Sequence, residues 1–163
     1  MKILIISDSH GHIANLKTIV EIAKKGRVDG IIHAGDWNTP ESVNIILSSG
    51  IPLYTVLGNA DIDSEIDKIL RKGSEKYQED FLLINLDDRR VGITHKPSNN
   101  KNFFQYKNHL AGQNLDLIVN GHLHSRYESV ETPVKIIRPG ALVNGINFVV
   151  FDTKNSTLEF INE

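Results

Sequence analysis

The chain has 163 residues, and its 18 basic and 20 acidic side chains leave a formal net charge of −2 at pH 7. This balance argues against a general nucleic-acid coat or a membrane-surface protein. The absence of cysteine excludes disulfides and thiolate metal sites, and the length suits one domain, residues 1–163. The first apolar run is too short to span a membrane and no small-residue cleavage site follows it, so we expect a cytoplasmic protein.

Strands and helices alternate in the first half of the chain. Residues 2–7 are a continuous apolar run, which is typical of a parallel strand covered on both faces. Thr39 and Pro40 have the residue types of an N-cap and a first helical position. The apolar patterns predict strands at 2–7, 30–34 and 52–57 and helices at 13–25, 40–49 and 62–71.

Strands dominate the second half. Residues 76–86 and 89–95 predict two strands that pair as a hairpin around Asp87 and Asp88. We therefore expect an α/β protein built as a two-sheet β-sandwich flanked by helices. The remaining elements expected are a helix at 102–112 and strands at 115–119, 126–131, 133–138, 146–152 and 157–161.

Potential metal ligands directly follow five of the predicted strands. In α/β sheets, ligands bind beyond the carboxyl ends of the strands. In an extended chain residues two apart point the same way, so Asp8 can share an ion with His10, and His122 with His124. A glycine, which permits tight or positive-φ turns, precedes three of the candidates. Turn chemistry explains any one of these residues, whereas their recurrence predicts a metal site at Asp8, His10, Asp36, Asn59, His95, His122 and His124.

The order of these residues resembles the calcineurin-like metallophosphoesterase superfamily, in particular its small bacterial and archaeal phosphodiesterase branch. The motifs that carry the resemblance are Asp-x-His, Gly-Asp, Gly-Asn-x-Asp, Thr-His and Gly-His-x-His, and the match extends from Asp8 to Gly140. The family fold is a two-sheet sandwich flanked by helices, which agrees with the elements above. The resemblance implies a metal-dependent phosphodiesterase that cleaves a small phosphodiester by a metal-bridging hydroxide at a dinuclear centre.

The resemblance also implies an assignment of ligands to two divalent ions. Asp8, His10 and His124 would hold the first ion. Asn59, His95 and His122 would hold the second ion. Asp36 would bridge both, and Asp36, Asn59 and His95 would take part in catalysis. Mixed carboxylate, amide and imidazole donors suit manganese, nickel, iron, cobalt or zinc, and we expect manganese first.

The sequence departs from the family pattern at Ala60, where many members carry a histidine that can protonate the leaving group. A general acid is worth about 10²–10⁴-fold in rate. We therefore expect substrates with good leaving groups to react best, unless another group such as His12 supplies the proton. Lys96 and Pro97 follow His95 where glycine is common. Lys96 is either a solvated side chain or a phosphate contact, and the solvated side chain is favoured.

Two polar residues beside the motifs admit two interpretations each. Asp61 either orients a ligand histidine or caps the helix at 62–71, and capping is favoured. Asn38 either contacts substrate phosphate or belongs to the turn before Pro40. A lone histidine is more often a hydrogen-bonded surface or core group than a ligand, and we interpret His33 in this way.

Two alternative functions are compatible with the same fold. A non-catalytic protein-interaction scaffold requires a degraded ligand set, whereas all seven ligand positions are filled here. A phosphomonoesterase is disfavoured by Ala60 and by the lack of long substrate-loop insertions.

Overall fold

The computed structural model describes residues 1–101, 115–131 and 134–162, so the helix predicted at 102–112 lies outside the described residues. Within these ranges the α-helices are α1 (Ile13–Gly26), α2 (Pro40–Leu47) and α3 (Ser64–Gly73). The strands are β1 (Lys2–Ile6), β2 (Gly30–His33), β3 (Leu53–Val56), β4 (Lys76–Gln78), β5 (Phe81–Leu86), β6 (Arg89–Thr94), β7 (Leu117–Val119), β8 (Tyr127–Glu131), β9 (Val134–Arg138), β10 (Asn147–Asp152) and β11 (Thr157–Asn162).

The strands form two sheets. One has six strands in the order β11-β10-β1-β2-β3-β4, and the other has five in the order β5-β6-β7-β9-β8. Strands β1 to β4 are parallel, and β10 joins β1 in the antiparallel sense. In the second sheet β6, β7 and β9 are parallel, while β5 and β8 are antiparallel edges. This two-sheet α/β architecture confirms the predicted fold class.

Strand β1 is buried on both faces, which explains its continuous apolar sequence. Ile3 and Ile5 lie in the core between the two sheets, together with residues of both. Leu4 and Ile6 point the other way and pack with residues of the three helices. Alternate side chains of a strand face opposite sides of its sheet, so a strand covered on both sides needs apolar residues throughout.

The prediction of one strand over 76–86 is wrong, because two strands occupy this segment. β4 pairs with β3 in the six-stranded sheet, and β5 pairs with β6 in the other. The chain crosses between the sheets at Glu79, whose carbonyl accepts a hydrogen bond from Leu57 N at 3.0 Å. The hairpin itself is confirmed, since Leu86 pairs with Arg89 across the predicted turn.

The helix starts are set by side chains that accept backbone N–H groups. Thr39 caps α2 by accepting from Ser42 N at 3.2 Å, and Pro40 is its first residue, as predicted. Helix α3 begins at Ser64 rather than 62, and Asp63 caps it by accepting from Glu65 N at 2.9 Å. The favoured interpretation of Asp61 as the helix cap is therefore wrong.

No helix in the described part of the chain is long and apolar enough to cross a membrane.

Candidate metal centre

The seven candidate ligands follow the carboxyl ends of β1, β2, β3, β6 and β7. Most of them have backbone conformations that L-residues rarely adopt. This corrects the expectation of an extended chain at Asp8 and His10, and equally at His122 and His124. Such left-handed conformations cost roughly 1–3 kcal/mol each and persist where the surroundings determine them. The φ angles are 52° at Asp8, 43° at His10, 62° at Asp36, 73° at His122 and 53° at His124.

The first group of candidate ligands consists of Asp8, His10, Asp36 and His124, whose side-chain donor atoms lie within 4.8 Å of one another. His10 Nε2 is 3.1 Å from His124 Nε2, and His124 Nε2 is 3.7 Å from Asp8 Oδ1. Two atoms bound about 2.1 Å from one ion, at about 90–109° to each other, are about 3.0–3.4 Å apart. The 3.1 Å separation lies within this range and the 3.7 Å separation slightly beyond it, and the mixed O/N donor set suits a divalent cation.

The second group surrounds His95. Its Nε2 atom is 3.1 Å from Asn59 Oδ1 and 3.3 Å from Asp36 Oδ2. The His122 ring packs edge-on against the His95 ring, with 5.1 Å between their centroids. The fold thus brings Asn59, His95 and Asp36 together and places His122 beside them.

Asp36 lies between the two groups, and its Oδ2 atom faces a histidine of each. Its Oδ2 is 3.5 Å from His10 Nε2 and 3.3 Å from His95 Nε2, while Oδ1 accepts from Ala60 N at 2.9 Å. Burial opposes ionisation, but hydrogen bonds from His95 and from the Ala60 N–H outweigh it and lower the pKa of Asp36 to about 2. The carboxylate is therefore ionised at neutral pH.

Hydrogen bonds at Nδ1 orient two of the candidate ligand histidines, His95 and His10. His95 Nδ1 donates to the Ala34 carbonyl at 2.8 Å, and His10 Nδ1 donates to Asn38 Oδ1 at 2.9 Å. Each leaves Nε2 as the atom that faces the ligand group, which is how ligating histidines are usually held. Neither interpretation of Asn38 anticipated this contact.

Asp8 connects the end of β1 to the histidines after β7. Its two carboxylate oxygens lie 3.0 and 3.2 Å from His122 N, which donates to them. The Asp8 side chain is 1% exposed and His124 is 41% exposed. The site is thus anchored in the core on one side and open on the other.

The glycines before the ligands serve two different purposes. Gly35 has a φ of +89°, as a left-handed turn requires. Gly58 and Gly121 do not need positive φ; instead, a Cβ at Gly58 would lie 2.0 Å from Asp36 Oδ1, and one at Gly121 would lie 2.9 Å from Asp8 Oδ2. A Cβ at Gly121 would lie nearer still to the Ala34 carbonyl oxygen, at 2.8 Å. Close approach of neighbouring atoms, and not turn geometry, therefore requires glycine at these two positions.

His33 supports the site from the core, as expected for a residue that is not a ligand. It is fully buried and stacks on Trp37, with 3.5 Å between ring centroids. Gly35 N donates to Nδ1 at 3.2 Å, so Nε2 carries the proton and donates to Ser9 Oγ at 3.0 Å. Burial lowers the pKa of His33 well below its ordinary value, and the positive field of His95 adds to this effect.

Asp61 does not cap a helix, and in the described part of the chain its hydrogen bonds go to backbone N–H groups and not to a candidate ligand histidine. It accepts backbone N–H groups from Asp36 at 3.0 Å, Asn38 at 2.8 Å and Gly58 at 2.8 Å. This role of Asp61 could have been suspected from sequence, because Asp61 belongs to the Gly-Asn-x-Asp motif and lies two residues after the candidate ligand Asn59.

Comparisons with known proteins agree with this architecture. A model of the calcineurin-like phosphoesterase superfamily domain matches residues 1–156. A protein named as a phosphodiesterase, from Methanocaldococcus jannaschii, is 28% identical over 142 residues, which are 86% of this chain and 83% of that protein. A solved structure described as an archaeal phosphodiesterase superposes with a TM-score of 0.84 at 25% identity and covers 100% of both chains.

More distant structures share the fold alone. A phosphoesterase from E. coli has a TM-score of 0.69 at 15% identity, over 99% of both chains. Vps29 from Chaetomium thermophilum has a TM-score of 0.68 at 13% identity, over 99% of this chain and 95% of that one. The family and the more similar relatives support phosphoesterase activity. The chain belongs to the calcineurin-like phosphoesterase superfamily.

Proposed function

We propose that this protein is a phosphodiesterase that uses two divalent cations, manganese being the first choice. The observation that carries the proposal is the position of Asp36 Oδ2, which is 3.5 Å from His10 Nε2 and 3.3 Å from His95 Nε2. A single carboxylate oxygen next to one histidine of each group is the arrangement that a bridging ligand requires. Asp8 and His124 would complete the first site, and Asn59 and His122 the second.

The chemistry expected follows from charge. Two divalent ions neutralise phosphate charge and lower the pKa of water, so that a nucleophile is available near neutral pH. The two aspartates, Asp8 and Asp36, contribute only two negative charges, so the occupied site is net positive and attracts an anionic ester. His10 and His95 would bind through Nε2 and keep the Nδ1 protons that they donate to Asn38 and Ala34. The proton that His95 Nε2 donates to Asp36 in the metal-free protein would be released when the metal binds.

A cleft beside the second group provides space for an ester substituent. It has a volume of about 320 Å³ and is lined in part by Asn59, His95, Lys96 and Asp80. Lys96 is exposed, so its ammonium group can move to contact phosphate. A diester places one substituent on each side of the phosphorus, and this cleft accommodates one of them.

The proposal is tested by metal reconstitution. Chelated protein is assayed with Mn²⁺, Ni²⁺, Co²⁺, Fe²⁺ or Zn²⁺ against bis(p-nitrophenyl) phosphate and p-nitrophenyl phosphate. We expect metal-dependent turnover with the diester preferred. Asp36→Asn should lose most activity and retain the fold by circular dichroism, while Asp63→Asn, an exposed helix cap, should retain activity.

The same assay distinguishes the alternative functions. Unchanged turnover of metal-replete Asp36→Asn would refute the bridging role. Faster turnover of the monoester would favour a phosphomonoesterase, and no turnover with any metal would favour the scaffold.

A further inference from the structure

We infer that Asp61 is a positioning residue that fixes both halves of the proposed metal centre through backbone hydrogen bonds. The inference deepens the proposed function and rests on it. Asp61 Oδ2 accepts from Asp36 N at 3.0 Å and from Gly58 N at 2.8 Å, while Oδ1 accepts from Asn38 N at 2.8 Å. One carboxylate therefore connects the turn after β2 to the turn after β3.

Each of the three donors leads to a different part of the site. Asp36 supplies the oxygen that faces both ligand groups. Asn38 holds Nδ1 of His10, so its position sets the direction of a ligand in the first group. Gly58 precedes Asn59, whose Oδ1 is 3.1 Å from His95 Nε2 in the second group.

The backbone that Asp61 holds is strained. Asp36 and Asn38 have φ angles of 62° and 66°, in the left-handed region that non-glycine residues rarely occupy. Such conformations persist only where the surroundings determine them. Hydrogen bonds from both residues to the Asp61 carboxylate hold this strained backbone in place. The hydrogen bond from Ala60 N to Asp36 Oδ1 adds to the restraint.

The geometry requires a carboxylate at this position. Three N–H donors converge on two oxygens, and a carboxylate presents acceptors only. An asparagine would turn its NH₂ group toward at least one of the donors and leave that N–H without a partner. Helix capping does not explain the residue, since Asp63 caps α3.

The test compares Asp61→Asn with Asp63→Asn, the same chemical change two residues along the chain. Asp63 caps a helix from an exposed position, and asparagine is an equally good cap. Binding of Mn²⁺ alone is measured by titration calorimetry, and the spectrum of the loaded protein by electron paramagnetic resonance. Neither measurement uses a phosphodiester.

We expect Asp61→Asn to bind Mn²⁺ about 10–100-fold more weakly, as is usual when the partner of a metal ligand is removed. Its resonance spectrum should lack the coupling between ions that we expect for wild type, whereas Asp63→Asn should match wild type in both measurements. Unchanged Mn²⁺ affinity in a folded Asp61→Asn protein would overturn the inference. So would a loss of affinity of the same size in Asp63→Asn.

A measurement on the unmodified protein keeps the inference testable if Asp61→Asn does not fold. The amide hydrogens of Asp36, Asn38 and Gly58 should exchange slowly, because all three donate to Asp61, and fast exchange at these sites would overturn the inference. If wild type binds no Mn²⁺, the proposed function fails and the inference with it. If wild type binds two ions and Asp61→Asn does so equally well, the inference fails alone.

Discussion

Replacing Gly58 by alanine tests the arrangement of the proposed metal centre with a single methyl group. A Cβ at this position would lie 2.0 Å from Asp36 Oδ1 and 2.3 Å from Asp36 N. Ordinary van der Waals contact begins near 3.4 Å, so the carboxylate oxygen would have to move away by about 1.4 Å. The clash with Asp36 N involves the backbone, so a change of the Asp36 rotamer cannot relieve it.

The size of the effect follows from that displacement. A misplacement of about 1 Å at a reacting site costs about 10²-fold in rate, which corresponds to about 2.7 kcal/mol of transition-state stabilisation. Insertion of a methyl group into a packed site also costs about 1–3 kcal/mol of unfolding free energy. We therefore expect Gly58→Ala to reduce kcat/KM for a diester by at least about 10²-fold, with a lower Tm.

The assay is steady-state hydrolysis of bis(p-nitrophenyl) phosphate by Mn²⁺-loaded protein, with metal content measured on the same sample. Gly26→Ala is the matched control, because Gly26 ends α1 and a Cβ there meets only Val28 at 3.8 Å. The control should retain wild-type activity. A folded Gly58→Ala protein with wild-type kcat/KM and wild-type metal content would refute the reasoning.

Two further predictions concern His33 and Ala60. Unfolded His33 takes up a proton below about pH 6.5, whereas burial keeps its native pKa well below that value. The unfolded state thus binds more protons as pH falls through this range, so the free energy of unfolding decreases, by up to about 1.4 kcal/mol per pH unit. Urea melts of metal-free protein should show a shallower pH dependence for His33→Gln, and equal slopes would contradict the assignment. Ala60→His should add a proton donor beside Asp36, since the Ala60 N–H already contacts that carboxylate. We expect a shallower dependence of rate on leaving-group pKa across a series of aryl diesters; an unchanged slope would show that the new imidazole donates no proton.

The sequence predicted most of the fold because its elements have local causes. The apolar run at 2–7, the cap at Thr39 and the turn at Asp87 each act within a few residues, and all three appear in the structure. The segment 76–86 was predicted wrongly because its halves join different sheets. Which sheet a strand joins depends on partners that are distant in sequence.

The candidate ligands were proposed from sequence alone, since a strand that ends in carboxylate or imidazole groups is a local pattern. Their geometry was not. The expectation that Asp8 and His10 align in an extended chain is wrong, because both have positive φ and are held by the turn after β2, through Asp8 N to Gly35 O and His10 N to Asp36 O.

By itself, the sequence determined which polar side chains follow the strands of the site and where α1 and α2 begin, because both follow from neighbours along the chain. Only the tertiary structure decided that Asp36 Oδ2 lies next to a histidine of each ligand group, and that Asp61 serves two turns and not a helix. These contacts join residues up to 59 positions apart (Asp36 and His95). Their energies depend on distances that exist only once both sheets have formed.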